Sequence, residues 1–123
     1  MGITSNHVDF VGSIGNDERG KEIDRKLMDE GVVGHFHKDM EMHSSVCAVV
    51  ISNKERTLTT DLAAACAYKE THFDANKQLL DSCKFIYVTA YFLTSCRNVL
   101  YKAAEYAKEN DVPLGFNLSA VFL

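Results

Sequence analysis

At 123 residues, 46% hydrophobic and 24% charged, the chain has the make-up of one soluble globular domain and cannot hold a large α/β enzyme with separate cofactor and substrate domains. Its formal charge of −4 is scattered, with no block of like charges and no basic stripe interleaved with aromatics, which argues against nucleic acid as a partner. The longest uncharged run, FIYVTAYFLTSC at 85–96, is well below the roughly twenty residues of a membrane helix, and the N-terminus lacks a basic and then apolar leader.

HVDFVGSIG at 7–15 alternates Val8, Phe10, Gly12 and Ile14 on one face with Val11 on the other, the pattern of a mostly buried strand. A helix follows. Asn16 or Asp17 can cap it, Ile23 and Leu27 repeat at i, i+4, Glu22 faces Lys26, and Gly31 marks its stop. The glycines Gly12, Gly15 and Gly20 are spaced G-x-x-G-x-x-x-x-G, which fits neither the dinucleotide fingerprint nor the P-loop, so the loop reads as structural.

Three β-leaning stretches come next, VVGHFHKD at 32–39, SSVCAVVIS at 44–52 and RTLTTDL at 56–62, the last two joined into a hairpin by NKE at 53–55. His35, His37 and His43 lie near Cys47 in sequence, and alternation puts His35 and His37 on one strand face, a zinc-compatible geometry without convincing spacing to a third ligand, so exposed histidines are the better reading. AAACAY at 63–68 and a weakly helical DANKQLLDSC at 74–83 lead into an apolar strand at 84–90. Asn98 can cap a helix with Val99, Leu100, Ala103, Ala104 and Ala107 on one face, ended by Asn110 and Pro113 before a last apolar strand. Strand, helix and strand over this length make a βαβ unit with parallel strands and a right-handed crossover. The apolar finish at Phe122 and Leu123, with no covering helix, fits an internal piece of a longer α/β domain.

The four cysteines, Cys47, Cys66, Cys83 and Cys96, form no C-x-x-C pair and sit in apolar surroundings. Reduced core thiols and a cytoplasmic protein are the expectation. Asn117-Leu118-Ser119 matches a glycosylation acceptor only formally.

FVGSIGNDERGKEI, VCAVVISNKERTLTTDLAAACAYK, FIYVTAYFLT and FNLSAVFL occur in the order they take in the ribokinase-type sugar and nucleoside kinases, and the chain resembles the adenosine kinase branch of that family most closely. The resemblance implies a partial ribokinase-like α/β fold: 1–31 a strand and helix of the large domain, 32–62 a small β lid, and 63–123 a large-domain βαβ segment. It implies ATP-dependent phosphorylation of the adenosine 5′-hydroxyl to AMP, with ATP and Mg2+ as the family's cofactors and adenosine as partner. By position it places Cys47, Leu58, Thr60 and Leu62 on the apolar side of the nucleoside pocket, Tyr91 against the base, and Arg56 reaching toward the transferred phosphate. Apart from the resemblance, Leu58 and Leu62 read as core residues, Cys47 as a packed thiol and Arg56 as a solvated hairpin charge.

The chain departs from the family pattern at several points. Ala90-Tyr91-Phe92-Leu93 replaces Gly-Phe-Phe-Leu, SCRN follows where serine and proline are usual, Val121 replaces a proline, SSVC replaces a glycine-threonine pair before the cysteine, and Thr60 replaces a small apolar residue. The family's ribose-binding elements and its anion hole with the catalytic aspartate have no counterpart, so the chain alone is expected to be inactive and to bind no cofactor tightly. The alternatives are a non-catalytic module that pairs with a full-length kinase or with itself through exposed strands, and a piece of a sugar kinase of the same family.

Overall fold

The computed structural model describes residues 7–118 and divides into two compact units, Met1–Ala67 and Tyr68–Leu123. The sequence features at 119–123, including Ser119, Val121, Phe122 and Leu123, lie outside the described residues.

In the first unit, β1 (Val8–Gly15) leads into α1 (Glu18–Asp29) and returns as β2 (Val32–Asp39), which pairs with β1 in parallel from Val8↔Val32 to Gly15↔Asp39. This is itself a βαβ unit. The 32–39 strand thus has its ladder with β1. Its alternation looks the same with any partner, and the backbone ladder decides. Asp17 caps α1, its extended backbone turning the carboxylate onto the Gly20 N–H at 2.8 Å. Lys26 and Glu22 pair at 2.8 Å along the helix, and Gly31 at φ +77° stops it in a conformation that costs glycine nothing.

β1 is less buried than its alternation suggests. Val8 and Phe10 are each 48% exposed, whereas Ile14 is buried. Among the described residues β1 has a strand neighbour only in β2, and it is the C-terminal end of the strand that is buried. Phe10 and Phe36 pack on each other across the two strands, ring centroids 5.7 Å apart.

β3 (Val46–Ser52) and β4 (Glu55–Asp61) form the expected antiparallel hairpin, from Val46↔Asp61 to Ser52↔Glu55. Asn53 and Lys54 make the turn with φ of 51° and 67°, the left-handed pair that matches strand twist in a two-residue hairpin. A 3-10 turn, Ala63–Ala67, closes the unit and buries Ala64 completely.

The second unit opens with α2 (Glu70–Ala75) and a 3-10 turn at Lys77–Ser82, where one helix over 74–83 was expected. β5 (Ile86–Thr89), the short α3 (Phe92–Ser95), α4 (Arg97–Glu109) and β6 (Leu114–Asn117) follow. β5 and β6 pair in parallel, so the predicted βαβ unit is present. Val99, Leu100, Ala103 and Ala107 of α4 are buried with Tyr68, Phe73, Ile86 and Ala90 to form this unit's core.

Two details differ from expectation. Ala104 is exposed, because the helical step carries it off the buried stripe. Asn98 does not cap α4: the helix begins at Arg97 after Cys96, and the Asn98 amide donates to Glu70 of α2 at 3.0 Å instead. Lys102 continues that link, with Nζ 2.7 Å from Glu70 and 2.6 Å from Asp74.

Candidate functional site

The hairpin carries its side chains in two sets, because successive strand residues point to opposite faces and directly opposed residues share one. Cys47 opposes Thr60, Val49 opposes Leu58 and Ile51 opposes Arg56, so these six lie on one face. Leu62 continues the same parity just beyond β4. Five positions implied by resemblance, Cys47, Arg56, Leu58, Thr60 and Leu62, are thus brought to one side by sheet geometry alone. Arg56 stands one residue from the turn, and Thr60 stands near the root.

Val49 and Ile51 belong to the same face and escaped the sequence reading. Counting in twos from Cys47 would have found them. The face is open: Leu58 is 53% exposed, Val49 52% and Ile51 75%. Leu58 and Leu62 are therefore not core residues within their unit. Cys47 is not a packed thiol, since both it and Cys66 are exposed and Cys83 and Cys96 are only half-buried. The Thr60 hydroxyl donates to Cys47 Sγ at 3.3 Å, a polar rung in an otherwise apolar stripe.

The root of the hairpin is bonded on both sides. The Asp17 carboxylate accepts from the Ser44 hydroxyl at 2.7 Å through Oδ1 and from the Ser44 N–H at 2.8 Å through Oδ2. Ser44 Oγ in turn accepts from the Gly15 N–H at 3.0 Å, and Ser44 is fully buried. Hydrogen bonds from Ser44 and Gly20 hold the Asp17 carboxyl down at about 2. The neighbouring Ser45 hydroxyl donates to the Leu62 carbonyl at 2.5 Å and accepts from the Ala65 N–H at 3.3 Å.

This root also answers what the glycine loop is for. A Cβ on Gly15 would lie 2.5 Å from Met42 O and Ser44 N, and one on Gly20 would strike the Gly15 carbonyl. The space that a phosphate would take is filled by the chain itself, and the N–H groups of Gly15 and Gly20 are already donated. The loop is structural.

His35 and His37 sit on β2, not on the hairpin, and His35 is part-buried with Nε2 2.7 Å from Asp9 Oδ1. Among the described residues no group of three or more His, Cys, Asp or Glu is placed to hold a metal ion.

Tyr91 lies in the second unit, half-exposed at the end of β5, where α3 begins. The Ala90 N–H beside it donates to Asn117 Oδ1 at 3.1 Å, tying together the C-terminal ends of the parallel strands β5 and β6. In open α/β sheets that end is where ligands bind. Asn117, which the sequence offered only as a formal glycosylation acceptor, is a second residue at this edge.

Arg56 supplies a guanidinium suited to a phosphate. The described residues offer no carboxylate set for a divalent cation, and the N-terminus of α1 is already occupied by Asp17.

The model of the pfkB family of carbohydrate kinases matches residues 2–122 of the chain. An adenosine kinase of Dictyostelium discoideum is 34% identical to it over 116 residues, which is 93% of this chain and 34% of that enzyme. Among solved structures, adenosine kinase from Schistosoma mansoni in complex with 2-fluoroadenosine matches with a TM-score of 0.90 at 30% identity, over 94% of this chain and 34% of that one. Anopheles gambiae adenosine kinase matches with a TM-score of 0.88 at 28% identity, over 93% of this chain and 34% of that one. The chain spans about a third of the length of these relatives.

Proposed function

The chain belongs to the pfkB family of carbohydrate kinases, and on that premise we propose that it is the nucleoside-covering segment of an adenosine kinase, the whole enzyme transferring the γ-phosphate of Mg-ATP to the 5′-hydroxyl of adenosine in purine salvage. The observation that carries this reading is the shared hairpin face: Cys47, Leu58, Thr60 and Leu62 form a largely apolar surface with Arg56 near its free end.

Such a surface suits a cover over a nucleoside. Its aliphatic side chains exclude water from the reacting groups, and Arg56 stabilises charge on the transferred phosphoryl group. Tyr91 stacks on the base. No described residue is assigned as the base that takes the hydroxyl proton, so chain 1–123 alone does not turn over.

The experiment is a chimera in which residues 1–123 replace the matching third of the Dictyostelium discoideum adenosine kinase. The chimera forms AMP from adenosine and ATP. Arg56→Ala in it lowers kcat by about a hundredfold, the scale of losing one charge-stabilising group, while KM for adenosine changes little. A folded chimera that phosphorylates a sugar and not adenosine would overturn the reading.

A second reading is favoured by the exposure of both hairpin faces, since Val46 and Val50 on the opposite side are also open. In that reading the strand edges pair with a full-length kinase or a second copy. A molecular mass by light scattering that rises with concentration supports it.

A further inference from the structure

Tyr91 stands on a backbone held from both sides. Ahead of it, the Ala90 N–H donates to Asn117 Oδ1 at 3.1 Å. Behind it, the Ala90 carbonyl accepts from the Leu93 N–H at 2.9 Å, and the Tyr91 carbonyl accepts from the Thr94 N–H at 3.1 Å and the Thr94 hydroxyl at 2.8 Å. Tyr91 thus takes up helical dihedrals, φ −59° and ψ −21°, at the step from β5 into α3. The next ring, Phe92, packs edge-on against the buried Tyr68, and the helical rotation of about 100° per residue turns Tyr91 away from that contact and leaves it half-exposed.

These contacts differ in reach. The bonds to the two carbonyls come from three positions further along the chain, as they do at the start of any short helix. The Asn117 bond crosses 27 positions to another strand. Thr89, the last residue of β5, pairs with Asn117 at the end of the parallel ladder, so the next N–H along, that of Ala90, takes a side-chain oxygen where the ladder would have supplied a main-chain one. Ala90 is buried, and a buried N–H left without its acceptor is costly enough to shift the backbone that carries it.

We propose that Asn117 is a positioning residue for Tyr91: by accepting the Ala90 N–H it fixes where β5 ends and α3 begins, and with that the height and angle at which the Tyr91 ring meets a nucleoside base. A stacking ring has no hydrogen bond through its face to aim it, so its aim comes from the backbone beneath. The proposal rests on the reading that Tyr91 stacks on the base, and Asn117 acts through that ring.

The test is a double-mutant cycle in the chimera with the Dictyostelium discoideum enzyme. Tyr91→Ala raises KM for adenosine about tenfold, the scale of one stacked base, with kcat little changed. Asn117→Leu, similar in shape but without the acceptor, raises KM about fivefold, the scale of one hydrogen bond, and adds nothing in the Tyr91→Ala background. Asn117→Ala serves where the leucine variant does not fold. Asn117→Asp keeps an oxygen in place of Oδ1 and recovers most of the loss. An Asn117→Leu effect that survives in full without Tyr91, or an aspartate variant as weak as the leucine one, would overturn the proposal. The geometric step is read without nucleoside in chain 1–123: Asn117→Leu speeds exchange of the Ala90 amide about fivefold, while the Ile86 amide, bonded to the Pro113 carbonyl at 3.0 Å at the other end of the strand pair, keeps its rate. An unchanged Ala90 amide, or one that speeds up together with Ile86, overturns the positioning role; a faster Ala90 amide with no effect of Tyr91→Ala on KM overturns the stacking reading instead.

Discussion

Asp17 grips Ser44 with both carboxylate oxygens, at 2.7 and 2.8 Å, while one of them also caps α1 through the Gly20 N–H. One side chain therefore starts a helix and anchors the hairpin that begins two residues after Ser44. Because the folded Asp17 carboxyl is held at about 2, below the ordinary carboxylate value, the unfolded chain takes up the proton first as pH falls. The stabilisation is complete above about pH 4 and is lost as pH falls from there to about 2. Urea unfolding of the wild-type chain and Asp17→Asn across that range should show a gap that closes toward the acid end. A gap of constant size would contradict the assignment.

Two glycines should fail for different reasons. Gly15→Ala drives a Cβ to 2.5 Å from the backbone of Met42 and Ser44, atoms that cannot rotate away, and costs about 3 kcal/mol, at the upper end of overpacking penalties. Gly31→Ala meets nothing within 4 Å but must hold φ at +77°, which costs about 1 kcal/mol. Thermal melts of the two variants rank them. A Gly31 variant that suffers more than the Gly15 variant would refute this account of the loop.

Lys54 occupies a left-handed turn position at φ 67° without a side-chain hydrogen bond to justify it. Lys54→Gly should stabilise the hairpin by about 1 kcal/mol, read as greater amide protection across β3 and β4. Unchanged or lower protection would mean that the turn is not the type described.

The Tyr68 hydroxyl is buried with no hydrogen-bond partner among the described residues, while its ring packs edge-on against Phe92 at 5.5 Å. Burial pushes its ionisation well above the ordinary tyrosine range. Tyr68→Phe keeps the ring and removes the unpaired polar atom, so it should raise stability by about 1 kcal/mol in chemical denaturation. A loss of similar size would show that the hydroxyl is satisfied.

The elements legible in the sequence were those whose signal is local. Asp17, Ile23, Leu27 and Gly31 mark one helix from cap to stop, and the polar NKE between two β-leaning runs marks the hairpin. Pairing was not local. Nothing in VVGHFHKD distinguishes a partner in β1 from one in β3, because alternation states which face is apolar but not which backbone lies alongside. Asn98 misled for a related reason: its amide finds Glu70, 28 positions earlier in the chain, so its capping chemistry is spent elsewhere. The site was half visible. Arg56, Leu58, Thr60 and Leu62 recur every second residue, as do Cys47, Val49 and Ile51, but only the register that sets Cys47 against Thr60 puts the two sets on one face.

The measurement that bears most directly on the central claim is the methyl spectrum of the chimera as adenosine is added. If the Arg56 face covers the nucleoside, the methyls of Val49, Leu58, Thr60 and Leu62 shift together, while those of Val46, Val50, Thr57 and Thr59 on the opposite face stay in place. Shifts confined to the opposite face, or none on either in a chimera that binds adenosine, would contradict it.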